Sequence, residues 1–164
     1  MFLIRSFFAL CSAFLFAVLL LSLASCGPNY LYESKQDIPN DQWLYRDSLR
    51  FAFEVKDTSK RYNFYLDLDY DDQFASQNIY LRLSTQYPNG RQLTKVRSFD
   101  LFDAGGTPLG KSSGSSHRLR TALQENAFFN QLGQHTVTVA QFMRRDSLPG
   151  LRAVGLAVMP LGKN

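Results

Sequence analysis

The chain has 164 residues, with 18 Lys and Arg against 14 Asp and Glu and a net charge of +4. Its basic residues are scattered along the chain, which argues against a nucleic-acid-binding arm or a polybasic lipid-binding stretch. Only two cysteines occur, so neither a disulfide framework nor a Cys-based zinc site can supply the stability.

In chain order, Arg5 precedes an apolar run from Phe7 to Leu21, and no acidic residue appears before Glu33. That is the charged and apolar layout of a secretory signal peptide. Leu23-Ala24-Ser25-Cys26 closes it with small residues that a narrow peptidase site needs and a thiol that can accept a diacylglyceryl group. It resembles a bacterial lipobox. Residues 1–25 are therefore expected to be removed and Cys26 to carry lipid. An uncleaved anchor is the competing reading, but the run is short against the roughly 20 residues of a spanning helix. Cys11 leaves with the leader, so the mature chain is expected to be tethered and otherwise soluble, and two or three acyl chains hold far better than one. Residues 26–42, polar and broken by Pro28 and Pro39, read as the lipidated cysteine and a flexible tether.

From Trp43 onward the pattern has period two. Leu49, Phe51, Phe53 and Val55 alternate with Arg50, Ala52 and Glu54. After a polar break, Tyr62, Phe64, Leu66, Leu68 and Tyr70 alternate with Asn63, Tyr65, Asp67 and Asp69. Ile79, Leu81, Leu83 and Thr85 alternate with Tyr80, Arg82 and Ser84, before Tyr87-Pro88-Asn89-Gly90 turns the chain. Such alternation marks half-buried antiparallel strands. Leu93 to Phe102 predicts a further strand, His117 to Leu123 a shorter one at an edge, and Thr136 to Met143 and Leu151 to Met159 two more. Gln124 to Leu132 lacks clean alternation and suggests a helical turn. About seven or eight strands with no long helix predict a single antiparallel β-sandwich over residues 43–160, followed by a tail at 161–164.

Several motifs invite chemistry. Gly105-Gly106-Thr107-Pro108-Leu109-Gly110-Lys111-Ser112 matches G-x-x-x-x-G-K-[ST]. A phosphate cradle needs a helix directly after Lys-Ser, whose amides help hold the anion. Ser113-Gly114-Ser115-Ser116 follows instead, a poor helix former, so a turn is expected and no nucleotide. Gly110-Lys111-Ser112-Ser113-Gly114 also spells G-x-S-x-G, yet a nucleophile elbow needs the same strand-to-helix turn. A deep cleft holding His117 or His135 beside an acid would revive an enzyme. Asp67, Asp69, Asp71 and Asp72 lack the glycine and closing glutamate of a calcium loop and read as a solvated strand face. No catalytic residue, cofactor or metal is expected. Trp43, Tyr45, Tyr65 and Tyr80 lie out of phase or in loops, where rings stack sugars or anchor a protein partner; the bland alternative is cross-strand packing.

Taken together, these residues are similar to the gliding-motility lipoprotein GldH family of the Bacteroidetes. The likeness runs through the lipobox, Asp47-Ser48-Leu49-Arg50-Phe51, Asn78-Ile79-Tyr80-Leu81 and the spacing Asp103-x-x-Gly106-x-x-Leu109-Gly110. Its most specific part is Gln141 to Val158, against a family signature Q-x-M-R-x-D-x-L-x-G-[IV]-x-x-V-G, with Leu151 at the Ile/Val position. The resemblance implies a non-catalytic, lipid-anchored accessory component of the gliding and type IX secretion machinery, with other envelope proteins as partners. It carries no catalytic or cofactor residue. From the residues themselves, Pro149-Gly150 favours a turn, and Arg144, Arg145 and Asp146, with Trp43 and Tyr80, are the candidate partner-binding residues. Gly27 and the absence of an acidic run after Cys26 suggest an outer-membrane anchor facing the periplasm. The rival function is a carbohydrate-binding β-sandwich lipoprotein. Coplanar rings on one exposed face would favour sugar; a patch mixing aromatic and arginine side chains would favour a protein.

Overall fold

Alternation along the chain builds strands that must bury one face, and in the computed structural model, which describes residues 29–162, they do so against each other. Eleven strands follow in order: β1 (Tyr32–Asp37), β2 (Gln42–Leu44), β3 (Ser48–Val55), β4 (Arg61–Asp71), β5 (Asn78–Gln86), β6 (Gln92–Asp100), β7 (Lys111–Ser113), β8 (Ser116–Phe128), β9 (Gly133–Gln141), β10 (Ser147–Pro149) and β11 (Leu151–Pro160). All pair antiparallel. One sheet has the order β1-β11-β4-β8-β7 and the other β3-β9-β5-β6, while β2 and β10 form a small ribbon. No α-helix occurs among the described residues.

The inward positions follow the alternation read from the sequence. Leu66, Leu68, Val154, Leu156 and Val158 from the first sheet meet Phe51, Ile79, Leu81, Val137 and Val139 from the second in one buried cluster. Each such side chain contributes about 1.5–3 kcal/mol when fully buried. One end of the core is aromatic: Phe129 lies 5.0 Å from Tyr62, 5.6 Å from Phe64 and 5.9 Å from Phe53, centroid to centroid.

The all-β sandwich agrees with the sequence, and the strand count exceeds it because three of the strands are only three residues long. The boundaries differ in two places. Residues 32–37 are not tether but edge strand β1, paired to β11 from Tyr32↔Val158 to Asp37↔Ala153. Its sequence is polar because only Tyr32, Ser34 and Gln36 turn inward, each half-buried. Residues 124–128 are not helical but continue β8, whose pairing to β4 shifts register between Tyr62 and Phe64 and again between Phe64 and Tyr65. Two irregularities between Ala122 and Ala127 destroy the period-two pattern that would have betrayed the strand. Cys26 and residues 1–25 lie outside the described residues, as do 163–164.

Candidate functional site

Gln141 ends β9 fully buried, and its amide organises the loop that follows. Nε2 donates to Arg145 O at 2.8 Å, and Oε1 accepts from the Met143 N–H at 2.9 Å. Arg144 takes φ +55°, a left-handed turn held by these two clips. β10 then lays Leu148 opposite Trp43 in the ribbon with β2. Gly150 follows at φ +83°, where a Cβ would stand 2.4 Å from Phe74 N and 2.8 Å from Gln73 C. Most of the Gln141-to-Gly150 motif is thereby used for structure, and Arg144, Arg145 and Asp146, with Pro149, are what it leaves exposed.

The main chain of this loop is bonded to the two segments that carry exposed tyrosines. The Tyr45 N–H donates to Asp146 O at 2.9 Å, and the Phe142 N–H donates to Tyr80 O at 2.8 Å. The Tyr80 N–H sits 3.1 Å from Met143 Sδ. Tyr45 is 42% and Tyr80 44% exposed, and Arg82 stands 5.7 Å over the Phe142 ring. The resulting end of the second sheet mixes aromatic rings with arginines.

Trp43 does not join them. It is 1% exposed, because the β2–β10 ribbon folds its ring into the core and its Nε1 finds Asp47 O at 3.2 Å. Its loop-like sequence context hid a core anchor, and it leaves the list of partner-binding residues. Tyr65 is half-buried as well, with Asn63 Nδ2 donating to its hydroxyl at 3.1 Å.

The outer face of the first sheet is a charge ladder. Arg120 grips Asp67 through two bonds of 2.7 and 2.6 Å, and Arg118 grips Asp69 through two of 2.7 and 2.9 Å. Lys35 adds a third bond to Asp69, and Arg120 also reaches Glu33. Partial burial opposes ionisation of Asp69, but the Arg118 and Lys35 bonds outweigh it and hold the carboxyl below its usual range. Asp67 and Asp69 are thus occupied as ion-pair partners of Arg120, Arg118 and Lys35.

The Gly105-to-Ser112 stretch is a turn. Asp103 Oδ1 accepts from Gly105 N–H at 2.9 Å and Thr107 N–H at 2.8 Å. Gly106 adopts φ +81°, and Leu109 N–H donates to Leu101 O at 2.7 Å. Gly110 approaches β8 so closely that a Cβ would lie 2.3 Å from Arg118 O. Strand β7 begins at Lys111, where a phosphate-binding loop would begin a helix.

That hairpin does bring Ser112, His117 and Asp72 together. His117 Nδ1 is 2.9 Å from Ser112 Oγ, and Nε2 is 2.8 Å from Asp72 Oδ1. His117 is buried beside Tyr70 and lines a cleft with Lys111, Arg118 and Arg152. This is the His-beside-acid arrangement that the serine motif called for, but its polarity is reversed. A serine nucleophile is served by Nε2 while a buried acid holds Nδ1. In this protein the serine is on Nδ1, and the Asp72 side chain is 63% exposed. The trio clips the β7–β8 hairpin to the end of β4.

The family model for GldH lipoproteins matches residues 30–158. The chain belongs to the GldH lipoprotein family. Membership makes it a membrane-anchored lipoprotein of a family named for gliding motility. It is 23% identical over 155 residues to a gliding motility lipoprotein GldH homolog of Christiangramia forsetii, covering 90% of this chain and 94% of that one. It is 21% identical over 133 residues to the gliding motility lipoprotein GldH of Flavobacterium johnsoniae, covering 80% and 82%. Among solved structures, a carbohydrate-binding module specific for non-crystalline cellulose aligns with a TM-score of 0.45 at 14% identity, covering 84% and 77%. At that score the likeness carries no argument about binding. The Ser112–His117–Asp72 clip has no signal in the sequence, since Asp72 lies 45 residues from His117 and only the β4–β8 register joins them.

Proposed function

We propose that this GldH-family chain is a non-catalytic accessory protein of the gliding and type IX secretion machinery, anchored to the outer membrane through Cys26 and facing the periplasm. It works by holding another envelope protein. The observation that carries this reading is the exposed cluster of Tyr45, Tyr80, Arg144, Arg145 and Asp146 at one end of the second sheet. Tyrosine and arginine are enriched where protein partners dock. Arg144, Arg145 and Asp146 project from a loop whose backbone Gln141 fixes, so these side chains can vary without disturbing the core.

A sugar platform would need coplanar rings on an open face. Tyr80 and Tyr45 belong to separate elements, β5 and the turn after β2, and each is tied to the Phe142–Asp146 loop through its main chain. The serine–histidine–aspartate clip, with its nitrogens exchanged, supports no hydrolytic role.

The test reverses the charge of Arg144 and Arg145 together (Arg144→Glu, Arg145→Glu) in cells. Both side chains are exposed, so the fold should persist, checked by an unchanged urea midpoint. Capture of the native envelope partner on affinity pull-down should then fall about tenfold or more, as for loss of a hot spot. Undiminished capture by the folded variant removes this face as the contact.

A further inference from the structure

Along one side of the sandwich the edge strands β1 and β3 are joined by the Gln36 side chain, which donates to Arg50 O; the other side is open. On the open side, β6 ends the second sheet and pairs only with β5, while β8 is covered by β7 only from Ser116 to Arg118. From Leu119 onward β8 has no second ladder partner among the described residues. Two unpaired edges therefore flank one cleft of about 360 Å³, within the lower range of ligand pockets. Its walls come from both sheets, with Phe53, Leu83 and Val137 facing Phe64, Leu123 and Phe129. Arg97 spans the opening and donates to Leu123 O on β8.

The register of β6 fixes what each residue offers. The Tyr87 N–H bonds Arg91 O, and the Leu101 N–H bonds Gln77 O. Antiparallel pairs alternate between bonded and non-bonded, so the main-chain groups of Leu93, Lys95, Arg97 and Phe99 face β5. Those of Thr94, Val96 and Ser98 face outward, unpaired. The side chains of Leu93, Lys95 and Arg97 line the cleft. Neither Lys95 nor Arg97 belongs to any ion pair among the described residues, whereas Arg118, Arg120 and Arg152 are all paired. Val96 is 46% and Leu93 39% exposed on this edge.

We infer that β6 takes up an extended segment of a partner protein as an added strand, with carboxylates on that segment meeting Lys95 and Arg97 and an apolar side chain seated beside Leu93. Exposed strand edges are templates for pairing, and recognition by strand addition draws affinity from the main chain and specificity from alternate side chains. The cations without carboxylates select an acidic segment. The cleft's apolar floor, which includes Phe53 and Phe129, supplies the anchor pocket.

This inference rests on the partner-binding reading above and fails separately from it. The lipidated full-length protein in detergent is titrated with the fluorescein-labelled peptide Thr-Glu-Thr-Glu-Thr-Leu-Thr and with its Lys-for-Glu counterpart. The acidic peptide should bind saturably, and the basic one at least about tenfold more weakly. Hydrogen exchange should slow at the Thr94, Val96 and Ser98 amides when the acidic peptide binds. Val96→Pro deletes one outward N–H and leaves the β5 ladder whole, a substitution that edge strands tolerate. It should weaken binding about tenfold or more with the urea midpoint little changed. The double substitution Lys95→Glu with Arg97→Glu should reverse the peptide preference. Absence of saturable binding, protection elsewhere than β6, or full binding by the folded Val96→Pro variant overturns the inference. Concentration-dependent dimerisation that Val96→Pro abolishes would assign the edge to a second copy and overturn it too. If the peptide fails while charge reversal at Arg144 and Arg145 still releases the native partner, only the strand-docking inference is lost.

Discussion

Gly150 and Gly90 have nearly the same backbone angle, φ +83° and +82°, and opposite surroundings. Alanine at either must hold a left-handed conformation, at about 1–2 kcal/mol, offset in part by about 0.4–1 kcal/mol from the stiffer unfolded chain. At Gly90 nothing lies within 4 Å of the new Cβ, so the net loss ends there. At Gly150 the Cβ would meet Phe74 N at 2.4 Å, Gln73 C at 2.8 Å and Asp71 Oδ1 at 2.9 Å. These are backbone atoms and a buried carboxylate, so the chain must separate. Separation endangers the bonds from Asp71 N–H to Gly150 O and from Gly150 N–H to Asp41 O, each worth about 0.5–1.5 kcal/mol. Gly150→Ala should therefore cost about 3–5 kcal/mol, from two hydrogen bonds and the displaced packing added to the angle, against about 1 kcal/mol or less for Gly90→Ala. Urea unfolding followed by circular dichroism reads both; a slope of about 1–3 kcal/mol per molar makes the midpoints easy to separate. Equal midpoints for the two variants would refute the reasoning from close approach.

Gln141→Leu keeps the volume but leaves Met143 N–H and Arg145 O without their partners; it should lose about 1–2 kcal/mol and speed hydrogen exchange at Met143. Ser112→Ala should leave envelope function intact and cost about 1 kcal/mol for the lost bond to His117; labelling of Ser112 in the wild type by a fluorophosphonate probe would contradict a clip. His135 predicts a pH dependence: burial holds its pKa below the ordinary value, outweighing the Gly133 carbonyl bond that favours the charged ring. The unfolded chain then takes up a proton below about pH 6.5 that the fold refuses. Its contribution is complete above that pH and declines as pH falls toward the lower folded value. The urea midpoint should drop between about pH 7.5 and 5, and His135→Phe should flatten that segment.

The parts of the fold that alternation could reach were legible. β3, β4 and β5 each bury one face against the other sheet, so apolar and polar residues strictly exchange places, as in Phe51, Phe53 and Val55. The signal weakened wherever that geometry did. β1 is short and sits at an edge, so Glu33, Lys35 and Asp37 face solvent and it read as tether. β11 lies between β1 and β4, and both its faces are covered through Ala157 and Val158, which leaves length rather than alternation as its mark. At the candidate site, Arg144, Arg145 and Asp146 were legible because turn residues flank them, and Tyr80 because it falls out of phase on β5. Trp43 was not, since a three-residue strand has no period to be out of phase with. The open cleft at β6 was also hidden, because Lys95 and Arg97 occupy inward positions that a closed sandwich would give to apolar residues.

A surface proposed to hold an envelope partner must lie against that partner in the living cell. Site-specific photo-crosslinking in living cells tests it most directly, with a photoreactive side chain placed in turn at Arg145, at Tyr80 and, as a control, at Lys56 on the exposed turn after β3. Arg145 and Tyr80 should each give one discrete adduct, of the same mass, that is absent at Lys56 and lost when Arg144 is reversed in charge. Equal labelling at all three positions, or no adduct from either site residue in a folded and membrane-anchored protein, would contradict it.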